Sequence, residues 1–293
     1  MEDNPQQIAF ASITYFPKWY HGSLRSISHT DKIRGDLAIE FLQKASRLGY
    51  QVVVVDGNSS KSFKNALSAL TNITVIKRRS HKRSPGKRQA FQAASKLPNV
   101  KVIISTEAEK TSLIDYVHEI VKPLLENTID IVIPKRENSF FKSNYPDYMY
   151  ESEVEGNRLY NELLKLHNLL PENTEPLDMF FGPRAFRNDK KILMLFLQKF
   201  SFKIANTIFP KEYFDPDELS NTLFYPVVLA LQKKLRIGSV EIPFVYPTLQ
   251  KENESVGARD HFVEKRNAQR LGLLVELMYF LNYMQTQKRR YKK

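Results

Sequence analysis

The spacing of hydrophobic positions changes repeatedly along the chain, and each change marks an element. Ile8 to Tyr15 alternates apolar with small or polar residues and predicts a strand, which Pro17 stops. From Asp31 to Leu48 the apolar positions Ile33, Leu37, Phe41 and Ala45 fall at helical spacing, and Gly49 closes the helix. Val52 to Val55 is an unbroken β-branched run. That pattern belongs to a strand buried on both faces, as in a parallel sheet, and Asp56-Gly57 ends it in a turn. A helix from Phe63 to Leu70 and a strand from Ile73 to Ile76 repeat the alternation. After a basic stretch, Ala90, Ala93 and Ala94 give the close-packing face of a helix that starts past Pro85-Gly86. Val102 to Ile104 predicts another buried strand, Ser112 to Leu125 a helix, and Ile129 to Pro134 a strand. Strand and helix alternating in this way call for an α/β fold with a doubly wound, mostly parallel sheet flanked by helices.

The second half is less regular. Residues 135–160 are polar and aromatic without a clean period, and read as a loop or helix bordering a cleft. A helix is expected from about Lys190 to Lys199, and another opening at Phe214-Asp-Pro-Asp-Glu-Leu219 and running to Lys234. A strand follows within Arg236–Tyr246, then a helix from about Phe262 to Met284. Pro134 to Asn144 is the best boundary, dividing the chain into halves 1–134 and 135–293 that share one sheet.

The chain has no cysteine, so a disulfide framework, a thiolate metal site and a cysteine nucleophile are excluded. Its net charge of +12 is concentrated in Lys77–Arg88 and in the tail Gln287–Lys293. Such a balance implies acidic partners, yet no zinc-finger spacing, aromatic RNP-like strand or long basic helix marks a nucleic-acid binder. Phosphorylated small molecules and anionic lipid rank higher. Met1–Gln7 lacks the basic and apolar regions of a signal peptide, and no apolar run reaches the ~20 residues that cross a bilayer. The expected location is cytoplasmic. The basic tail after the last helix adds a route to peripheral membrane contact.

Candidate chemistry gathers where strands end. Glu107 and Glu109 follow the Val102–Ile104 strand with Ala108 between them. In an extended segment, residues two apart point to the same side, so the two acids would converge on a divalent cation, Mn²⁺ or Mg²⁺. Asp56, at the end of the valine strand, can accept from a nucleotide base or ribose, or can cap the next helix. Gly86, Lys87 and Arg88 stand at the start of the alanine-rich helix, where free N–H groups, the helix dipole and mobile cations would favour an anion. Trp19, Tyr20 and His21 could stack on a base or pack their own loop.

The order of these motifs resembles the GT-A glycosyltransferases, in particular the family-2-like enzymes that include polyprenyl-phosphate mannosyl- and glucosyltransferases. The matching segments are Val54-Val-Asp-Gly-Asn-Ser59, Gly86-Lys-Arg-Gln-Ala-Phe-Gln-Ala-Ala94, Thr106-Glu-Ala-Glu109, Asp178-Met-Phe-Phe-Gly-Pro-Arg184 and Arg236-Ile-Gly-Ser-Val-Glu-Ile-Pro243. They span roughly residues 8 to 247, with Glu-x-Glu where the family has Asp-x-Asp. The resemblance implies a mixed, mostly parallel GT-A (Rossmann-like) sheet, a nucleotide-sugar-binding half over 1–134 and an acceptor-binding half over 135–293. It implies transfer of a hexosyl group from a UDP- or GDP-linked sugar to a hydroxyl acceptor. Tyr15, Asp56, Gly86, Lys87 and Arg88 would hold the donor, and Glu107, Glu109 and His261 the metal. Asp178 and Arg184 would shape the acceptor pocket or form a buried ion pair, and Asp217 or Glu218 would take the acceptor's proton or cap a helix. Two rivals stand beside it: a sugar-nucleotide-binding relative without activity, and a nucleotidyltransferase.

Overall fold

The computed structural model describes residues 4–200, 215 and 217–290, with side chains through residue 286. Seven strands form one sheet: β1 (Ile8–Thr14), β2 (Gln51–Asp56), β3 (Ile73–Lys77), β4 (Val102–Ser105), β5 (Ile131–Arg136), β6 (Arg184–Arg187) and β7 (Ile237–Ile242). Their spatial order is β3-β2-β1-β4-β6-β5-β7. β1 runs parallel to β2 and β4, β2 to β3, and β5 to β7, while β6 is antiparallel to both β4 and β5. The expected mixed, mostly parallel sheet is therefore present, and strands from both sequence halves build it. Val52 to Val55 are each at most 1% exposed, as an unbroken β-branched run between two helical layers requires.

The helices are α1 (Thr30–Arg47), α2 (Lys61–Ser68), α3 (Arg83–Ala94), α4 (Val117–Leu125), α5 (Asn138–Asn144), α6 (Asp147–Leu166), α7 (Lys190–Leu197), α8 (Ser220–Leu223), α9 (Tyr225–Gln232), α10 (Thr248–Glu252) and α11 (Arg259–Arg290). Alternate residues of each central strand face opposite layers. Ala9, Val53 and Ile103 pack with Phe91 of α3, Phe196 of α7 and Leu277 of α11. Phe10, Val54 and Ile104 pack with Phe41 of α1 and Ile120 of α4 on the other face.

Four differences from the sequence expectation bear on the site. Helix α3 begins at Arg83, so Pro85 and Gly86 lie within its first turn rather than before it. β5 continues through Pro134 to Arg136. Proline is tolerated there because the β6 ladder ends at Val132, so on that side no partner needs the missing N–H. Residues 135–160, left without a period, are mostly helical, because α6 turns charged residues such as Glu153 inward to a buried arginine. β6, which follows Gly182 and Pro183, was not expected: a run of four residues with an arginine at each end has no strand-like pattern. Phe214 and Pro216, at the expected helix opening, and the side chains of the basic tail lie outside the described residues.

Candidate active site

The carboxyl ends of the parallel strands form one edge of the sheet, the place where open α/β sheets bind ligands. At the end of β1, Tyr15 is exposed, and the Arg78 guanidinium lies over its ring, 5.5 Å from the centroid. Arg78 also fills the space above Gly57 and Gly86; a Cβ on either would stand within 3 Å of it. Nothing in the sequence distinguishes Arg78 from its basic neighbours, and only the fold brings it beside Tyr15. Asp56 is buried, and both of its oxygens are engaged: Thr14 and Ser59 hydroxyls donate to one, and the Asn58 and Ser59 N–H groups to the other, at 2.5–3.0 Å. It shapes the β2–α2 turn, while Ser60 caps α2 by accepting from Phe63 N–H. Trp19 and His21 stand apart from this edge beside α1, where the Trp19 indole donates to Asp36.

The start of α3 is not the open anion site that its sequence implied. Ser84 N–H donates to the Asp217 carbonyl at 2.7 Å, and Pro85 has no N–H to offer. The cations around this turn also meet acids: Lys82 pairs with Asp215, Arg83 with Glu218 at 3.5 Å, and Arg88 with Asp217 at 3.3 Å. Asp217 receives Lys199 as well, at 3.0 Å. Burial alone would raise its carboxyl, but Lys199 and Arg88 outweigh that and hold it below the ordinary range. Gly86 is buried against the Arg78 stem.

Lys87 is the exception. Its side chain is 3% exposed, and its Nζ has no hydrogen-bond partner among the described residues. Its nearest carboxylate is Glu107, 3.8 Å away. Glu107 and Glu109 stand on a tight turn, closed by Lys110 N–H donating to the Glu107 carbonyl, rather than on an extended segment. The two side chains therefore diverge at their partners. Glu107 lies between Lys87 and Lys110 (3.8 and 3.9 Å), and Glu109 faces Arg34 (3.5 Å). Both still line one cavity. Burial would raise the Glu107 carboxyl, yet Lys87 and Lys110 hold it at about 2, while burial lowers both lysines against the pull of Glu107. Glu107 Oε2 is buried and accepts no hydrogen bond from the described residues. Gly182 makes this arrangement possible: its φ is +97°, and a Cβ there would lie 2.9 Å from Glu107 Oε2.

The cavity holds about 130 Å³ between the strand ends and α6 and α11, with Phe181, Phe244 and Phe262 among its walls. Arg34, Lys110, Arg136, Glu153, Lys265 and Arg266 also reach it, none of them marked by a sequence motif. Asp178 and Arg184 do not line it and do not pair with each other. The Arg136 fork donates to Asp178 through Nε (2.8 Å) and Nη2 (2.7 Å). The same guanidinium reaches Glu153 at 2.6 Å and covers the Phe141 ring. Arg184 is fully buried and donates to the carbonyls of Met179, Pro183 and Leu223, which fixes the segment whose residues Met179 to Gly182 form a cavity wall. Desolvation brings its guanidinium down to about 10.

No group of three or more histidines, aspartates or glutamates stands together among the described residues. His261 is exposed on the first turn of α11 and does not line the cavity, so it is not brought to the two carboxylates. Glu107 and Glu109 nevertheless fit a hard divalent cation. One buried carboxylate oxygen lacks a partner, a second carboxylate faces the same space, and Mg²⁺-type ions are commonly held by one or two carboxylates with substrate phosphates supplying further oxygens. Glu218 lies in a groove of about 240 Å³ that adjoins the cavity and shares Arg83, Leu219 and Lys265 with it.

The sheet order and the cleft at its carboxyl edge define a mixed, mostly parallel α/β fold. Solved structures similar to this chain include two synthases. Glucosyl-3-phosphoglycerate synthase from Mycobacterium tuberculosis, in complex with Mn²⁺, UDP and phosphoglyceric acid, is 13% identical with a TM-score of 0.49, over 91% of this chain and 79% of that one. 4-Diphosphocytidyl-2C-methyl-D-erythritol synthase from Anaerococcus prevotii is 12% identical with a TM-score of 0.43, over 88% of this chain and all of that one. Likenesses of this extent carry no weight for activity or substrate. No protein-family model and no curated protein matches the sequence. Among the described residues, no helix is long and apolar enough to cross a membrane.

Proposed function

We propose that the protein is a glycosyltransferase that moves a hexosyl group from a nucleotide-diphosphate sugar to a hydroxyl acceptor. The observation that carries this reading is the pair Lys87 Nζ and Glu107 Oε2, both buried and both without a hydrogen-bond partner among the described residues, at the carboxyl edge of the sheet. Burying a charged group without hydrogen bonds is costly, so such a pair is retained where a ligand completes it. Lys87 would donate to the oxygens of a diphosphate, and Glu107 and Glu109 would hold a divalent cation beside it. A bound Mn²⁺ or Mg²⁺ supplies neutralisation of the charge that develops on the departing nucleoside diphosphate. Tyr15 and Arg78 offer the base a flat cationic wall, and Asp56 serves by fixing the turn beside it.

In the transfer, the acceptor oxygen bonds to the anomeric carbon as the bond from that carbon to the diphosphate oxygen breaks. The acceptor's proton passes to a carboxylate, and the nucleoside diphosphate leaves with the electron pair. Glu218 and Asp217 each stand beside two cations, Lys82 and Arg83 for the first and Arg88 and Lys199 for the second, and Glu218, the more exposed of the two, is better placed to meet the acceptor. The half 1–134 binds the donor and the half 135–293 the acceptor.

Thermal shift with UDP, GDP and their sugar conjugates, each with and without Mn²⁺, tests the reading. A ligand that binds only the folded state raises the melting temperature. Stabilisation by one nucleotide that requires Mn²⁺ and is lost in Glu107→Ala/Glu109→Ala is expected. No shift with any nucleotide at millimolar concentration would sink the donor site.

A further inference from the structure

One buried acid plays no part in the site as described so far. Glu276 of α11 is 4% exposed, and its two oxygens meet the two ends of one turn. Oε1 accepts from Asp215 N–H at 2.9 Å, and Oε2 shares a hydrogen bond with the Ser220 hydroxyl. Between those ends stand Asp217 and Glu218. Asp215 is the hub of the turn: its carbonyl accepts from Glu218 N–H at 2.9 Å, and its carboxylate from Asp217 N–H at 3.2 Å and from Lys82. Ser84 N–H and Arg88 fasten the turn to α3, so Glu276 supplies its attachment to α11. Glu276, Asp215 and Glu218 line the groove of about 240 Å³ that adjoins the cavity.

Burying a carboxylate without a cation is costly, and the neutral acid satisfies the same two partners. Its carbonyl oxygen accepts from Asp215 N–H, and its O–H donates to Ser220 Oγ. The groups that face it do not offset an ionised form. Asp215 on the turn is a like charge, and Tyr160 of α6 and Tyr225 of α9 are uncharged phenols, the second donating to the Glu276 backbone carbonyl. Arg83, Glu218 and Lys265 stand on the walls of the same groove, and neither cation forms an ion pair with Glu276. Burial, joined by the charge of Asp215, pushes the carboxyl up from 4.5 to about 7, against the two hydrogen bonds that pull it down. Building on the reading in which Glu218 takes the acceptor's proton, we propose that Glu276 is a positioning residue for the transfer. As a neutral acid it fastens the turn to α11 and fixes Glu218 at the groove, and its ionisation sets a second buried negative charge against Asp215 and loosens the turn.

Two measurements on the full chain test it. In the first, hydrogen exchange between pH 6 and 8, corrected for the intrinsic pH dependence of amide exchange, follows the peptide that carries Asp217 to Leu223 by mass spectrometry. A carboxyl at about 7 in the closed turn and 4.5 in the open one makes opening about tenfold easier at pH 8 than at pH 6. The parent should lose protection by that factor. Glu276→Gln, whose amide offers the same acceptor and a donor to Ser220 but cannot ionise, should not. In the second, kcat and KM are measured over the same range for hydrolysis of UDP-glucose and of GDP-glucose with Mn²⁺ present, water standing in as the acceptor. The parent's kcat should fall about tenfold as the neutral fraction of Glu276 falls, with the donor KM unchanged, and Glu276→Gln should remove the fall. Protection that is independent of pH, or equally dependent on it in Glu276→Gln, would overturn the clamp. Exchange that depends on Glu276 while the kcat profiles of parent and variant coincide would overturn the positioning role. The same exchange in a protein that neither binds UDP or GDP nor hydrolyses either sugar conjugate would refute the transferase reading itself, and the role of Glu218 with it.

Discussion

Two charged regions of this molecule are built from the same residue types and differ in one respect. Beneath the cavity, Arg136, Asp178, Glu153 and Asn157 form a closed network in which the arginine fork and both acids have hydrogen-bond partners. A few ångströms from the sheet edge, Lys87, Glu107 and Lys110 face one another at 3.8–3.9 Å, with Lys87 Nζ and Glu107 Oε2 unpartnered. A closed network fixes structure, and the incomplete one at the carboxyl edge is where the proposed ligand would bind. Sequence proximity does not separate the two. The Asp178-to-Arg184 motif supplies a network member, a backbone clamp and, through Gly182, the room for Glu107.

The largest effect expected from breaking this contrast is at Arg136. Arg136→Met would leave Asp178 and Glu153 buried, with Asn157 and Arg266 as their remaining partners. Removing one partner of a buried ion pair costs roughly 3–5 kcal/mol. Urea unfolding should show a loss of that size, whereas Lys87→Met, which leaves Glu107 beside Lys110, should cost less and should abolish nucleotide binding. Equal stability losses in the two variants would erase the distinction between them.

Glu276 of α11 sharpens the comparison, since it is a buried carboxylate with hydrogen bonds but no cation among the described residues. It accepts from Asp215 N–H at 2.9 Å and from the Ser220 hydroxyl, and burial pushes its carboxyl up from 4.5 to about 7. A raised carboxyl binds its proton more tightly in the folded state. Its contribution is therefore full below pH 4.5 and is lost as the pH rises through 7. Glu276→Gln keeps an acceptor oxygen and cannot ionise, so the variant should gain on the parent between pH 4.5 and 7, by up to ~3 kcal/mol above pH 7. Stability curves that stay parallel across that range would show that Glu276 does not titrate there.

Gly182 joins the structural and the incomplete regions, and a smaller loss is expected from it. Gly182→Ala puts a Cβ at a φ of +97° and 2.9 Å from Glu107 Oε2. The strain should cost ~1–3 kcal/mol in urea unfolding, and the displaced carboxylate should weaken Mn²⁺-dependent UDP stabilisation. Loss of stability with the UDP response intact would mean that Glu107 has room to move without consequence.

What could be read from the sequence follows the same division. The valine run, the alternation of strand and helix and the acids after β4 were legible because each is local: a period or a spacing within one element. The closing of the α3 N-terminus by the Asp217 carbonyl was not, since Ser84 and Asp217 meet only after more than a hundred intervening residues have folded. Nor was the separation of His261 from Glu107 and Glu109, which depends on where α11 begins. Lys110 stood beside the motif and was passed over because one lysine after two acids looks like a solvated neighbour. Its partial isolation among Phe181 and Phe244 is a tertiary fact. Arg34, Arg136 and Arg266 come from three different helices or strands, so no spacing could have grouped them.

The smallest effect belongs to the ion pairs that look best in isolation. Arg158 on α6 forks onto Glu155 at 2.7 Å and reaches Glu162 at 2.6 Å, geometry as good as that of Arg136, but all three side chains are about half exposed. Water competes for each group, and ordering three long side chains offsets much of the attraction. Arg158→Ala should leave the melting temperature close to that of the parent, and any small difference should vanish in molar salt, where the screening length falls to ~3 Å. A salt-insensitive loss comparable to that of Arg136→Met would show that geometry, and not burial, separates the closed network from the open one.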